Sequence, residues 1–363
     1  MTTAIPPGSE TPGAPAPDPV VLTADRLTAF SATLMEGLGT PGDLARQVAE
    51  SLVSANLAGH DSHGVIRLPW YAEFADRGLA VPDARPRVVR SEGATAVVDG
   101  HRGWGQPAAL FAVDHAADLA GRFGAAVVTI RNCNHVGRIG EYVELLAARG
   151  LPSVMWCNAD PAVAPYGGAR RMLGTNPFAA GVPTGDGPPV IVDFATAAVA
   201  EGKLRVVRAA GGTVPEGLIQ DAEGRPSTDP EAFYAGGSLL PFGGHKGFGL
   251  SVLVELLGGA LSGNHPSCLP EYVWGNGVVL IVMRPGAFVP EHDYTADAHD
   301  ATEALRATPP AQGFDTVRLP GDPERATRAS REKSGIPIPA PVWHELRALA
   351  VRLDLTESDL PGI

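Results

Sequence analysis

Residues 132–140 have the sequence NCNHVGRIG and lie between a strand-like apolar run, 125–130, and a helix-like run, 138–149. This order predicts that His135 lies in a loop at the carboxyl end of a β-strand. Open α/β sheets bind their ligands in the crevice outside such strand ends. For this motif alone, a polar turn whose histidine bonds a neighbouring carbonyl group is the structural alternative.

A second strand is predicted at 153–157, and it opens into the loop that contains Asp160. A strand, a crossover helix and a second strand usually form parallel neighbours. This pairing would bring the loops of His135 and Asp160 to the same edge of one sheet. Further strands are predicted at 95–99, 190–193 and 278–283, so the chain is expected to have an α/β fold.

The composition is that of a large acidic globular protein. The chain has 363 residues, of which 44% are hydrophobic and 19% charged, and its formal net charge is −12. This length favours a large core and two or more lobes. The negative charge and the lack of a Lys/Arg cluster argue against a nucleic acid or an anionic membrane as partner. A small anionic ligand in a locally basic pocket is compatible with the negative net charge and with the lack of a Lys/Arg cluster.

The cysteines and the first residues of the chain indicate the cellular compartment of the protein. Cys133, Cys157 and Cys268 form no C-x-x-C pair, which predicts reduced thiols and a cytoplasmic protein. The longest apolar run, 277–283, has the length of a strand and is too short to cross a bilayer. Residues 1–19 are rich in proline and contain no Lys or Arg, so a disordered tail is expected rather than a signal peptide.

The segment GHDSHGVIRLPWY carries a possible binding stripe. If it is helical from residue 62, then His63, Arg67 and Tyr71 are spaced i, i+4 and i+8 and share one face. Pro69 would kink that helix. The alternative is a solvated helix face with an exposed arginine.

Two further segments favour ligand contacts. GGHKGFGL opens an apolar helix that is predicted to run to about Leu261, and the helix dipole with Lys246 favours an anion such as a pyrophosphate. A tight turn with a surface lysine is the alternative. Asp193 closes a predicted strand, where it is either a helix N-cap or a carboxylate that orients a histidine or contacts a ligand. Neither common nucleotide-binding glycine fingerprint is present.

Several motifs in order resemble the malate/L-lactate dehydrogenase family of NAD(P)-dependent oxidoreductases. They are GHDSHGVIRL, NHVGRIGEY, PYGG followed by LGTNP, DFAT, and GGHKGFGL, and the resemblance spans roughly residues 22–353. That family includes sulfolactate and ureidoglycolate dehydrogenases and reductases of piperideine-2-carboxylate and pyrroline-2-carboxylate. The resemblance implies an NAD or NADP cofactor, a small anionic substrate and a homodimer.

The resemblance also implies the architecture. It is a non-Rossmann α/β fold with a mixed seven-stranded sheet flanked by helices. Residues 91–289 would form the cofactor-binding domain, and residues 20–90 and 290–363 a helical lobe for substrate binding and dimerisation.

Matching positions assign roles that the resemblance implies. The catalytic histidine corresponds to His135, and the arginine that holds the substrate carboxylate corresponds to Arg67. The other matching residues are Ser62, His63 and Asp160 in the catalytic group, Tyr71 in the substrate site, and Asp193, Ala195, His245, Lys246, Gly247, Thr175 and Asn176 in the cofactor site.

The chemistry expected from these residues is hydride transfer between nicotinamide and C2 of a small 2-hydroxy or 2-oxo acid. Histidine suits proton transfer because its pKa lies near working pH. Arg67 offers a planar fork for a carboxylate. Asp160 or Asp193 would hold the His135 ring, and no metal is required.

Other functions remain open at this point. A close rival is NADPH-dependent reduction of a cyclic 2-imino acid. A metal-dependent hydrolase on His60, Asp61, His63 and His135 lacks the usual paired-histidine spacing on a helix. A catalytically inactive scaffold is the third alternative.

The chain departs from the family pattern at two positions. Ala197 follows the DFAT segment where many relatives have serine, and Ala159 precedes Asp160 where some have serine. Both changes remove a hydroxyl near the expected ligands, so they bear on the identity of the substrate.

Overall fold

The computed structural model of the protein describes residues 18–209 and 211–356. Most of the tail predicted at residues 1–19 lies outside the described residues. The strands are β1 (Val20–Leu22), β2 (Arg87–Glu92), β3 (Thr95–Asp99), β4 (Ala125–Cys133), β5 (Ser153–Cys157), β6 (Phe178–Thr184), β7 (Gly187–Phe194), β8 (Ile219–Gln220), β9 (Pro226–Ser227), β10 (Ser238–Leu239), β11 (Asn276–Met283) and β12 (Ile336–Ile338). The α-helices are α1 (Ala24–Gly37), α2 (Gly42–Leu57), α3 (Leu68–Asp76), α4 (Gly105–Phe123), α5 (Gly140–Ala147), α6 (Glu201–Ala209), α7 (Pro230–Tyr234), α8 (His245–Val254), α9 (Glu291–Arg306), α10 (Asp322–Ser334) and α11 (Ala340–Arg352). Shorter helical turns are the 3₁₀ turns Asp61–His63, Val65–Arg67 and Pro285–Ala287 and the π-helical turn Glu255–Ala260.

The centre of the fold is a seven-stranded mixed sheet with the order β2-β3-β4-β11-β5-β6-β7. β3 and β4 pair in parallel, and every other pair in this sheet is antiparallel. β11 lies in the middle, and most of its residues are buried. A strand covered on both faces is expected to be continuously apolar, as this one is. The mixed seven-stranded α/β fold implied by the family resemblance is therefore confirmed.

The predicted parallel pairing of β4 with β5 was wrong. β11 comes far later in the chain and lies between them, with Val278 opposite both Ile130 and Cys157. Local order along the chain could not reveal this insertion. Because β11 is antiparallel to both neighbours, β4 and β5 still run in the same direction, and their carboxyl ends share one edge of the sheet.

Three hydrophobic cores stabilise the molecule. The largest is formed by the sheet with α4 and α5, and it includes Ile130, Leu146 and Leu280. The second lies among α1, α2, α3 and α11. The third lies beneath the small sheet β10-β8-β9 with α6 and α7. The boundaries predicted for the domains stay a prediction. Among the described helices, none is both long and apolar enough to span a bilayer.

Close packing of α5 on β6 depends on a glycine. A Cβ atom built on Gly181 in β6 would overlap the carbonyl oxygen of Val143 in α5. Gly121 provides the opposite case, because a Cβ built there in α4 meets nothing within 4 Å.

We expect Gly181→Ala to destabilise the protein, because the methyl group must push α5 away from the sheet, which typically costs about 1–3 kcal/mol. Gly121→Ala is the matched control and should stabilise by up to about 1 kcal/mol, since alanine favours helix over glycine. Denaturant unfolding of both variants measures the difference. Equal stability of the two variants would contradict the packing described here.

Candidate active site

The loop that follows β4 is held against the start of α4. A Cβ atom on Gly105 would overlap the carbonyl oxygens of Asn134 and His135. The Asn134 side-chain amide donates to the carbonyl oxygens of Arg102, at 2.9 Å, and Gly103, at 3.0 Å. The backbone on which His135 is mounted is therefore fixed by close contact with the preceding helix.

Asn276, the first residue of β11, joins the two loops at this edge of the sheet. Its Oδ1 accepts from the N–H of Val136 at 2.9 Å, and its Nδ2 donates to the carbonyl oxygen of Asn158 at 2.6 Å. One buried amide thus links the loop after β4 to the loop after β5. The sequence analysis missed it, because a single asparagine before an apolar run carries no distinctive signal.

The segment after α2 is not the continuous helix that the stripe required. It forms two 3₁₀ turns and then α3, because Gly64 adopts an extended conformation between the turns. The side chain of Asn56 occupies the space beside Gly64 and accepts from the N–H of Val65 at 3.0 Å. Pro69 lies in the first turn of α3, where proline fits a helix, so the predicted kink was also wrong.

This irregular segment nevertheless surrounds His135 with aromatic and polar groups. The Tyr71 hydroxyl lies 2.8 Å from His135 Nδ1. The His63 ring stacks on the His135 ring, with 5.5 Å between their centroids. The Trp70 ring meets the His135 ring edge to face, with 5.6 Å between their centroids. His135 Nε2 has no hydrogen-bond partner among the described residues, so this nitrogen is available to a ligand.

Arg67 supplies a cation to the same site. Its Nε donates to the carbonyl oxygen of Ser62 at 2.6 Å, and its guanidinium lies 5.3 Å from the centre of the Trp70 ring. Within residues 18–209 and 211–356, no acidic side chain lies within ion-pair distance of Arg67. The Ser62 hydroxyl lies 3.0 Å from His63 Nδ1. The structure therefore brings together all five predicted residues of this segment and the β4 loop.

The electrostatics of the site favour an anion. Burial, with Arg67 and His60 nearby, lowers the pKa of His63 to about 3. Burial, the charge of Arg67 and the His63 ring lower the pKa of His135 well below its ordinary value. Burial also raises the pKa of Tyr71. At neutral pH two uncharged imidazoles thus lie beside one cation that has no ion-paired carboxylate in the described part of the chain.

Asp193 lies elsewhere, with its carboxylate directed into the protein. It accepts from the N–H of Gly140 at 3.1 Å and lies 3.4 Å from Nε of Arg138. Arg138 is buried and also pairs with Glu144 at 2.5 Å. Asp193 therefore anchors the start of α5 and does not bond His135, and cofactor contact through it stays a prediction.

Asp160 follows β5, and its Oδ1 accepts from the Tyr272 hydroxyl at 2.8 Å. No hydrogen bond joins Asp160 or Asp193 to His135 in the described part of the chain. The expectation that a carboxylate holds the His135 ring was wrong, since the partner of Nδ1 is the Tyr71 hydroxyl. A catalytic role for Asp160 stays a prediction.

The segments predicted to contact a cofactor converge on Thr196, the neighbour of Ala195. The N–H of Thr196 donates to the carbonyl oxygen of Thr175 at 2.9 Å, and its own carbonyl would lie 2.9 Å from a Cβ on Gly247. Gly247 therefore allows the first turn of α8 to approach this segment closely.

The start of α8 has the features of an anion site. Gly243 and Gly244 have φ values of +55° and +60°, which glycine adopts readily. His245 and Lys246 are exposed directly after them. The positive end of the helix dipole and a lysine fit a phosphate-containing cofactor.

Asn176 is fully buried and has a structural role in this arrangement. Its Nδ2 donates to Ser251 Oγ at 2.9 Å and to Glu255 Oε1 at 2.8 Å, and its Oδ1 accepts from the N–H of Ala159 at 3.2 Å. The side chain ties the β5 loop to α8, and cofactor contact through it stays a prediction.

The residues of the hydrolase alternative are engaged separately. His60 lies 3.4 Å from Glu324, and Asp61 pairs with Arg331 at 2.7 Å. Across the described ranges, no group of three or more His, Cys, Asp or Glu side chains is arranged to hold a metal ion. The geometry offers no ligand set for that reaction.

Comparisons with known proteins identify the family of the chain. The family model described as malate/L-lactate dehydrogenase matches residues 22–347. An L-lactate dehydrogenase of Cupriavidus necator is 37% identical over 87% of this chain and 93% of that protein. A Delta(1)-pyrroline-2-carboxylate/Delta(1)-piperideine-2-carboxylate reductase of Pseudomonas putida is 34% identical over 81% and 86%. The solved malate dehydrogenase of Pyrococcus horikoshii has a TM-score of 0.85 at 32% identity, over 95% of this chain and 99% of that one. The chain belongs to the malate/L-lactate dehydrogenase family and is an oxidoreductase enzyme.

Proposed function

We propose that the protein transfers hydride between a nicotinamide cofactor and C2 of a small 2-hydroxy or 2-oxo acid. The observation that carries this proposal is the pairing of a neutral histidine with an adjacent arginine that has no acidic side chain within ion-pair distance among the described residues. His135 presents Nε2 without a partner, and Arg67 is the cation beside it. The names of the relatives, which include lactate and malate dehydrogenases, support the same substrate class.

Arg67 binds the substrate carboxylate in this proposal. The Nε–H group of Arg67 donates to the Ser62 carbonyl oxygen. This bond orients the guanidinium and leaves its terminal nitrogens for an anion. A planar guanidinium can donate two parallel hydrogen bonds to a carboxylate. Burial lowers the pKa of Arg67, so the site gains when an anion offsets this desolvated charge.

His135 exchanges the proton. In oxidation, the neutral ring accepts the proton of the substrate hydroxyl at Nε2 as the hydride leaves C2. In reduction, the imidazolium returns that proton to the carbonyl oxygen. A bound carboxylate offsets the charge of Arg67 and so raises the pKa of His135, which couples substrate binding to protonation.

The nicotinamide cofactor, NAD or NADP, supplies the hydride donor or acceptor when it is bound. The residues that would hold it are those that converge on Thr196 and the start of α8. Lys246 and the exposed glycine turn would bind its phosphates, while Gly247 and Thr175 shape the adjoining wall.

Reduction of a cyclic 2-imino acid is the second candidate function. One relative is named as a reductase of such compounds. The same geometry would serve, because His135 would stabilise or supply the proton on nitrogen and Arg67 would bind the carboxylate.

We further propose that the enzyme is a homodimer. Leu253, Leu256, Leu257 and Leu261 follow one another at helical spacing along α8 and the π-helical turn. Their side chains are 54%, 53%, 37% and 60% exposed. A contiguous apolar patch on a folded chain indicates an interface, and a second copy of this chain would cover it.

We expect the purified protein to oxidise NADH or NADPH in the presence of pyruvate or oxaloacetate. His135→Gln should lower kcat by about 10²–10⁴-fold because the proton donor is lost. Arg67→Ala should raise KM for the acid. The exposed His344→Gln is the matched control and should leave turnover unchanged. Turnover of piperideine-2-carboxylate alone would favour the second candidate, and unchanged rates in both site variants would exclude the mechanism.

The pH dependence follows from the lowered pKa of His135. We expect kcat/KM for oxidation to stay level as the pH falls from about 8 to 6, because the His135 ring of the free enzyme stays neutral over this range. With an ordinary histidine, which titrates at about 6.5, kcat/KM would fall. Over the same range kcat/KM for reduction should rise as protons become available. Arg67→Gln should raise the pKa of His135 and move the fall in oxidation to higher pH. An unshifted profile in this variant would contradict the coupling.

Leu253→Asp and Leu256→Asp should convert a dimer to a monomer, because each places a charge in the apolar patch. Light scattering during size-exclusion chromatography measures the mass. Val351→Asp, at a position on α11 that is 71% exposed, is the control and should leave the mass unchanged. A monomeric wild-type protein would refute the proposed dimer.

A further inference from the structure

A buried hydrogen-bond chain leads from His135 away from the substrate side. The Tyr71 hydroxyl lies 2.8 Å from His135 Nδ1, and Gln106 Nε2 donates to Tyr71 Oη at 2.7 Å. Gln106 is 0% exposed and Tyr71 is 1% exposed. Solvent therefore does not compete for these bonds.

Counting protons shows what this chain does to the histidine. The Tyr71 hydroxyl has one proton, and its oxygen already accepts from Gln106. No other acceptor among the described residues faces this hydroxyl, so with Gln106 in this orientation the proton goes to His135 Nδ1, and the neutral ring carries its own proton on Nε2. In this tautomer Nε2 can donate to a ligand but cannot accept the proton of a substrate hydroxyl.

The opposite orientation of the Gln106 amide reverses every bond. Oε1 then accepts the Tyr71 proton, and Tyr71 Oη accepts from Nδ1–H of His135. Nε2 now has a free lone pair, so in oxidation the substrate O–H bond breaks and an Nε2–H bond forms, which yields the imidazolium. In reduction the same Nε2–H bond breaks and the proton passes to the substrate.

The surroundings of the amide permit this exchange. Gln106 Oε1 is buried and has no hydrogen-bond partner in the described ranges, so a turn of the amide replaces only the bond to Tyr71. Gly137, at φ +76°, borders the amide, and a Cβ there would lie 3.5 Å from Nε2 of Gln106.

We propose that Gln106 is a positioning residue that selects, through the Tyr71 hydroxyl, which nitrogen of His135 carries the proton. This inference rests on the proposed function of His135. It adds a residue that touches neither substrate nor cofactor and acts only through the chain. Gln106 stands outside the family motifs of the sequence analysis, where one glutamine after a glycine-rich turn gave no signal.

Other groups face this chain and must be kept constant in a test. Arg67 and His63, on the 3₁₀ turns, act on His135. Tyr142, on α5, lies near the buried hydroxyl of Tyr71, and Glu141 acts on Tyr142. Substitutions at position 106 leave all four in place.

The test is ¹⁵N NMR of histidine-labelled full-length protein without substrate, because the two ring nitrogens report the tautomer directly. Wild-type His135 should show the proton on Nε2 in the orientation described. Gln106→Glu presents only acceptors when ionised, so it should move the proton to Nδ1 and raise the titration midpoint by about 1 pH unit. Gln106→Leu should give both tautomers of His135, because the side chain at position 106 then no longer fixes the direction of the Tyr71 hydroxyl.

A double variant separates the chain from a general electrostatic effect. In a Tyr71→Phe background, Gln106→Glu should no longer change the tautomer, since the connecting hydroxyl is gone. Gln220→Glu is the matched control, because Gln220 is a buried amide that donates to Gly168 and Ser238 far from this chain. It should leave the His135 signals unchanged.

Two results would overturn the inference. One is a Gln106→Glu spectrum identical to that of the wild type, and the other is a shift that persists without the Tyr71 hydroxyl. With an active substrate, Gln106→Glu should displace the pH profile of kcat while KM for the cofactor stays constant. If no 2-oxo acid or cyclic imine is turned over, the proposed function fails, whereas the tautomer measurement still decides the role of Gln106.

Discussion

The antiparallel insertion of β11 between β4 and β5 is the constraint on which the rest of the site depends. It sets both strands in the same direction and delivers Asn276 to the point where their loops emerge. A buried amide that bonds both loops is costly to lose, because its partners would remain unsatisfied in the interior. The backbone around His135 is therefore fixed before any ligand arrives, which is the condition for accurate orientation of a catalytic side chain.

The second determinant of the site is its electrostatics. Burial lowers the pKa values of the two neighbouring imidazoles, His63 and His135, and Arg67, which has no acidic side chain within ion-pair distance in the described chain, acts in the same direction. An anion beside Arg67 would relieve this unfavourable desolvation. In the proposed mechanism, substrate binding, the protonation of His135 and the arrangement of the buried Gln106–Tyr71 chain are parts of one charge balance. The helical segment would then supply the cation and the aromatic walls, and the sheet the proton carrier.

Much of the site could be predicted from local patterns. The strand predicted at 95–99 coincides with β3, and His135 does lie in the loop that ends β4. The spacing of His63, Arg67 and Tyr71 correctly grouped these residues, although Gly64 replaces the expected helix by two turns. The contact of Asp193 with the buried Arg138 was not predictable, because a carboxylate at a strand end has the same sequence signal whichever group it faces. Gln106 and Asn276 were missed because their partners are distant in sequence.

By itself the sequence determined the α/β class, the position of the central apolar strand, and the ordered motifs that identify the family. These properties follow from hydrophobic periodicity and from residue types at fixed local spacing, which are encoded within short segments. Only the tertiary structure decided that β11 separates β4 from β5, that Tyr71 rather than a carboxylate bonds His135, and that Arg67 has no acidic partner in the described chain. Those outcomes depend on which segments meet across the core, and burial there sets the charge and proton positions that no local pattern contains.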